Sequence, residues 1–214
     1  MKASLLAAVM TALVPQAVSA QAAEEPDPAT IDVVDLIECR VDAPTYNGFA
    51  FALDGDDGIV ATRHWTAVAS KRPTMTEYEL PAPITVAGRY RTRRIAFTSN
   101  GVVAILDLPD PAPLAREQGI ANQADAGALV DALGASGEAP PAALREMKAA
   151  GKASGMFRGE KIVSDRSEAP TRGARVGTRT VIARTVSALP AYPGKTLYGC
   201  SYRIDAVGPD GKVL

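Results

Sequence analysis

The 214-residue sequence predicts an α+β fold: a mostly antiparallel sheet with a few short helices packed on it. Three observations carry that expectation. Segments that alternate apolar and polar residues outnumber segments with helical spacing; turns rather than crossover helices separate them; and no period of about 20 to 50 residues marks a solenoid or propeller. With 47% hydrophobic and 22% charged residues the chain has an ordinary globular composition, so roughly 190 residues after a leader suffice for one domain with a sizeable core.

The N-terminus, "MKASLLAAVMTALVPQAVSA", has the three parts of a secretory signal: Lys2 as the positive end, an apolar stretch from Ala3 to Val14, and Val18-Ser19-Ala20 as a small-residue cleavage site. Residues 1–20 are therefore expected to be removed. No later stretch reaches the ~18 apolar residues a spanning helix needs. Neither a twin arginine nor a lipid-accepting cysteine accompanies the leader, which points to a secreted protein, periplasmic if the source is Gram-negative. Residues 21–30, polar and punctuated by proline, read as a flexible tail, and residues 31–208 as a single domain followed by a C-terminal tail at 209–214.

Within the domain, "IDVVDLIECRV" alternates so that Ile31, Val33, Ile37, Cys39 and Val41 share one face of a strand. Next, "DAPTYNGFAFALDGDDG" places Tyr46, Phe49, Ala50 and Leu53 at helical spacing, with Asp42 as N-cap, Pro44 in the first turn and Gly55 beyond the end. The segments "IVATRHWTAVAS", "EYEL", "PITVAG" and "RYRTRRIAFTSNGVVAILDL" follow as strands. A short helix runs from Asp110-Pro111 to Gln118 and stops at Gly119. An Ala/Gly-rich excursion at 121–156 then carries two short helices around Leu129, Val130 and Leu133 and around Leu144, Met147 and Lys148, split by Gly134 to Pro141. Strand pattern returns in "FRGEKIVSD", "GTRTVIARTVS" and "TLYGCSYRIDAV", the last with Tyr198, Cys200, Tyr202 and Ile204 on one face.

The two cysteines of an exported chain are expected to pair, so Cys39 and Cys200 form a predicted disulfide. Closing a loop of about 160 residues contributes on the order of 5 kcal/mol by the chain-entropy argument. Two separate buried thiols are the alternative.

Most catalytic signatures fail on spacing. The acidic "DGDDG" at 54–58 would need Asp or Asn at 58, Gly at 59 and Glu at 65 to hold calcium, where the chain has Gly58, Ile59 and Trp65. "PGKTL" ends like a phosphate-binding loop but has Leu189 where the first glycine belongs, and neither "GASGE" nor "KASGM" sets a serine in a nucleophile elbow. The single histidine, His64, sits beside Trp65 with Ser70 six residues on; alternation makes it a half-exposed strand residue, with Thr66 and Val68 on its face. With both cysteines oxidised, too few ligands remain for a metal centre, and no cofactor is expected. Glu77 and Glu79 share a strand face, about 7 Å apart.

The stretch from 89 to 108 holds the candidate site. Taking Asn100-Gly101 as the centre of a type I′ turn pairs Ser99 with Val102, Phe97 with Ala104, Ile95 with Leu106 and Arg94 with Asp107. Arg89, Arg91 and Arg93 then fall on the opposite face and project from the open end of the hairpin. Either Glu77 and Glu79 lie alongside and neutralise them, or they form a fork-shaped site for phosphate or carboxylate groups. A net charge of −1 argues against wholesale binding of nucleic acid or of a membrane surface. The leading expectation is a non-catalytic module that binds an anionic envelope component or another protein. A carrier for a small apolar molecule and an envelope-acting hydrolase are the alternatives.

Overall fold

A computed structural model describes residues 26–123, 133–137, 140–146, 156–170, 175–208 and 210–214. The leader at 1–20, the start of the tail at 21–25, and Leu129, Val130, Met147 and Lys148 of the excursion lie outside the described residues. The fold is α+β as the alternation predicts: a seven-stranded antiparallel sheet with short helices on one face.

The strands are β1 (Thr66–Val68), β2 (Met75–Val86), β3 (Tyr90–Thr98), β4 (Gly101–Leu106), β5 (Phe157–Glu168), β6 (Gly177–Ala188) and β7 (Thr196–Val207). Their spatial order is β1-β2-β3-β4-β7-β6-β5, so two meanders, each built from sequence-adjacent hairpins, meet along β4 and β7. The helices are α1 (Val33–Ile37), α2 (Ala43–Phe51), α3 (Ile59–Thr62) and α4 (Ala112–Gln118). One row across the sheet, Tyr78, Ile95, Ala104, Tyr198, Val186 and Gly159, faces this helical layer. The helices bury Val33, Leu36, Ile37, Tyr46, Phe49 and Leu114 against that side of the sheet.

Two segments read as strands are helical. In 31–41 the same residues that alternate also place Val33, Leu36 and Ile37 at helical spacing, and the Asp32 carboxylate, accepting from the Val34 N–H at 2.9 Å, starts α1. Cys39, at φ 56°, ends the turn and points to β7, where it is joined to Cys200; the Cα atoms are 5.3 Å apart. In 59–70 the chain forms α3 first and only the three residues of β1 afterwards. Gly58 opens that helix where an added Cβ would lie 2.6 Å from the Leu53 and Asp54 carbonyl oxygens, so the tight entry needs glycine. His64 therefore sits not on a strand but past the end of α3, exposed and at φ 54°.

The expected helix at Asp42 is present, with Asp42 accepting from the Thr45 N–H at 2.9 Å, and so is α4, stopped by Gly119 at φ 66°. "EYEL" and "PITVAG" belong to one strand, β2, interrupted by a bulge between Glu79 and Ile84. The tail expected at 21–30 is ordered from Asp27, which caps a 3-10 turn at Pro28–Thr30; Arg63 explains this, donating to the Ala29 and Ile31 carbonyls at 2.8 and 2.7 Å while lying over Phe49. The C-terminus likewise folds back, its Leu214 N–H donating to Ala206 at 3.0 Å.

The hairpin of β3 and β4 forms in a different register. Thr98 faces Gly101, Phe97 faces Val102 and Ile95 faces Ala104, so the turn is Ser99-Asn100. Neither Asn100 nor Gly101 has positive φ, which removes the basis for a type I′ turn. The slip from expectation is two residues, so every side chain keeps its face. Within the excursion, residues 133–136 and 141–146 are helical, the former including Gly134, which was expected in the break. The chain enters the excursion along the outer edge of β5, where the Arg158 N–H donates to Asn122 and the Gln123 N–H to the Arg158 carbonyl, at 3.0 and 2.7 Å.

Candidate functional site

The second face of the sheet carries none of α1 to α4, and its chemistry follows from the register. Three rows cross it. The first runs Met75, Thr98, Gly101, Ser201, Ala183, Ile162; the second Glu77, Ala96, Val103, Gly199, Thr185, Glu160. Leu197, Ser187 and Arg158 belong to the third, and Arg203 lies two residues beyond Ser201 on β7. The middle of this face is thus glycine, alanine and short hydroxyl residues, while longer side chains stand at the sides. The glycines are required by strand packing: a Cβ on Gly101 would lie 2.4 Å from the Cys200 carbonyl, and one on Gly199 2.0 Å from that of Val102.

One end of the face is covered. The turn between β6 and β7 folds Tyr192 back onto Met75, Ala96, Ile105 and Leu197 to make a second small core. Beneath it Glu77, 1% exposed, accepts from the Tyr192 hydroxyl at 2.6 Å and from the Arg94 guanidinium at 2.5 Å. Burial alone would raise the Glu77 carboxyl, but these two donors together with the Ser70 hydroxyl and the Lys71 N–H outweigh it and hold it below the usual carboxylate range. Burial and the Glu77 acceptor push Tyr192 up.

Beside the Tyr192 turn the described residues leave the face open. A groove of about 510 Å³ lies over the first two rows, with Leu189 from the turn in its wall. Its floor presents Thr98, Gly101, Val103, Thr185 and Ser201, and its charged lining among the described residues is Arg72, Arg158, Arg203 and Glu160. Arg203 lies 3.4 Å from Glu160; Arg72 and Arg158 are exposed and have no carboxylate partner among the described residues. The arrangement presents hydroxyl groups and a positive field to a ligand, in a volume typical of small-molecule sites.

No family model, curated protein or solved structure matches the chain.

The structure disperses the arginines of the hairpin. Arg89 pairs with Glu117 of α4 and lies over the Tyr90 ring at 5.0 Å. Arg93 donates to the Leu80 and Pro81 carbonyls at 2.9 Å each, satisfying the bulge of β2, with Glu79 at 3.8 Å. Arg91 is exposed and makes no ion pair among the described residues. Arg94 faces Glu79 across β2 and β3 and bonds Glu77; Asp107, its expected partner, pairs with Lys195 instead. The His64 imidazole has no hydrogen-bond partner among the described residues, and Ser70 turns to the Arg72 carbonyl at 2.9 Å. Among the described residues no three of His, Cys, Asp and Glu gather as a metal site, and no helix is long and apolar enough to cross a membrane.

The sequence reading missed the groove because Arg72, Arg158 and Arg203 come from a turn and two strands that only the topology brings together. The one local signal was the run of small and hydroxyl residues on the outward face of β6 and β7, at Ala183, Thr185, Ser187, Gly199 and Ser201.

Proposed function

We propose that this is an exported, non-catalytic binding protein that takes an anionic component of the cell envelope in the groove on the open face of the sheet. The observation that carries the reading is the convergence of Arg72, Arg158 and Arg203 on one trough whose described lining contains a single carboxylate, Glu160. The leader at 1–20 and a disulfide, a bond that persists in oxidising compartments, support a periplasmic or secreted location. The carrier reading has less support, since the groove is open and its floor is rich in hydroxyl groups.

Two triple variants test the assignment: Arg72→Gln/Arg158→Gln/Arg203→Gln in the groove and Arg89→Gln/Arg91→Gln/Arg93→Gln in the hairpin. Each is titrated at low salt with phosphatidylglycerol against phosphatidylcholine vesicles and with acidic against neutral oligosaccharides. Binding of the acidic probes should weaken with salt, since exposed charges are screened beyond ~8 Å at physiological ionic strength. It should fall at least about tenfold in the groove variant, as expected for lost charge-assisted bonds. A loss confined to the hairpin variant would move the site to Arg91 and its neighbours, and equal binding of acidic and neutral probes would overturn the proposal.

A further inference from the structure

We infer that the groove is shaped for an elongated ligand bearing two anionic groups joined by an uncharged, hydroxyl-bearing middle, as in an acidic oligosaccharide; this rests on the anion-binding reading above. The charged lining among the described residues, three arginines and one glutamate, leaves two positive charges. They do not sit together. Arg72 stands at the β2 rim, in the turn that leads into Thr74 and Met75, its carbonyl accepting from the Met75 N–H at 3.1 Å. Arg158 stands on β5 at the opposite rim, and Arg203 extends from β7 to within 3.4 Å of Glu160, also on β5. Among the described residues Arg203 and Glu160 thus offset each other, and the two arginines without a carboxylate partner, Arg72 and Arg158, stand at opposite sides.

The sheet order puts five strand spacings between β2 and β5. At about 4.8 Å each these span roughly 24 Å of flat sheet; coiling of the sheet and the inward reach of two arginine side chains leave a gap on the order of 10 Å between the charges. Between them the floor offers the bare backbone of Gly101 and the hydroxyl oxygens of Thr185, Thr98 and Ser201, the last two donating to the Gly101 and Ala183 carbonyls and open to accept from a ligand. The charges that reach over it among the described residues are those of Arg203 and Glu160, which offset each other. A single phosphate would engage one side only. A chain charged along its whole length would set its middle anions over a floor whose one cation among the described residues, Arg203, already lies beside Glu160. A spacer carrying hydroxyl groups pairs with the threonine and serine side chains in the middle, and two terminal anions meet the two sides. No aromatic ring lines the groove among the described residues, so a flat aromatic ligand has nothing to stack on.

The test is calorimetric titration of the full mature chain with four probes at one ionic strength. They are a linear tetrasaccharide alternating glucuronate with N-acetylglucosamine, which carries two separated carboxylates; free glucuronate; a neutral N-acetylglucosamine tetrasaccharide; and linear polyphosphate of similar length. The dianionic tetrasaccharide should bind at least about tenfold more tightly than each of the others, the gain expected from engaging a second guanidinium. Arg72→Gln and Arg158→Gln should each reduce its affinity to about that of free glucuronate, while free glucuronate itself changes by no more than about twofold in either variant, since the other arginine still holds it. If glucuronate or polyphosphate binds as tightly as the tetrasaccharide, and Arg158→Gln weakens it, the two-sided ligand is refuted and the anion groove stands. If none of the acidic probes responds to either substitution, both readings fall.

Discussion

Glu77 is the most deeply buried carboxylate of the described chain, and its neighbours decide what it does. With Tyr192 and Arg94 donating, it anchors the turn that walls the groove; without them it would be an uncompensated charge. Tyr192→Phe removes one donor and no carbon, and should cost about 1–3 kcal/mol, the penalty for a buried acceptor left unsatisfied, read as a lower midpoint in urea. The depressed Glu77 carboxyl also predicts acid sensitivity. Its contribution is complete above the unfolded glutamate value of ~4.3 and is lost as pH falls through the lower folded value. The stability difference between wild type and Glu77→Gln should therefore be largest near neutral pH and shrink steadily below about pH 4. Urea midpoints collected across that range check it; a difference constant with pH would mean that Glu77 does not titrate on unfolding. The burial of Glu77 was not visible in the sequence, where it read as one of two carboxylates sharing a strand face.

At the scale of elements, Gly101 separates two meanings of glycine. The dipeptide Asn100-Gly101 advertises a turn that needs positive φ, yet the glycine is there because β7 passes too close for a side chain. Gly101→Ala should cost about 3 kcal/mol, the upper end of overpacking penalties. Gly88→Ala, at φ +77° with nothing within 4 Å of the new Cβ, should cost only about 1 kcal/mol of backbone strain. Chemical denaturation of the two variants gives the comparison, and equal losses would remove the packing explanation. Strand existence was legible because β5, β6 and β7 run for twelve residues each, and β7 sets Tyr198, Cys200, Tyr202 and Ile204 on one face. The five residues of α1 and four of α3 are too short for that: Ile31 to Val41 satisfies both periods, and only the Asp32 cap distinguishes them. The groove was less legible than the fold, since its arginines are separated by tens of residues and share no local pattern.

For the whole molecule, the disulfide ties the end of α1 to the middle of the sheet across 161 residues. Cys39→Ser/Cys200→Ser should lower stability by about 2–5 kcal/mol, measured against the oxidised wild type in guanidinium, with the loss absent when both are compared under strong reductant. Strand β7, which carries Cys200, is the last strand in the chain yet sits between β4 and β6. As the chain emerges, β4 and β6 must therefore wait for β7, each showing an unpaired strand edge where β7 will lie, and Cys39 stays a free thiol until that strand arrives. A chain truncated before Thr196 keeps all three liabilities at once. In an oxidising compartment it should accumulate as Cys39-linked dimers on non-reducing gels, whereas a chain that includes β7 closes its bond within itself: the order of the strands makes oxidation a check that β7 has joined the sheet.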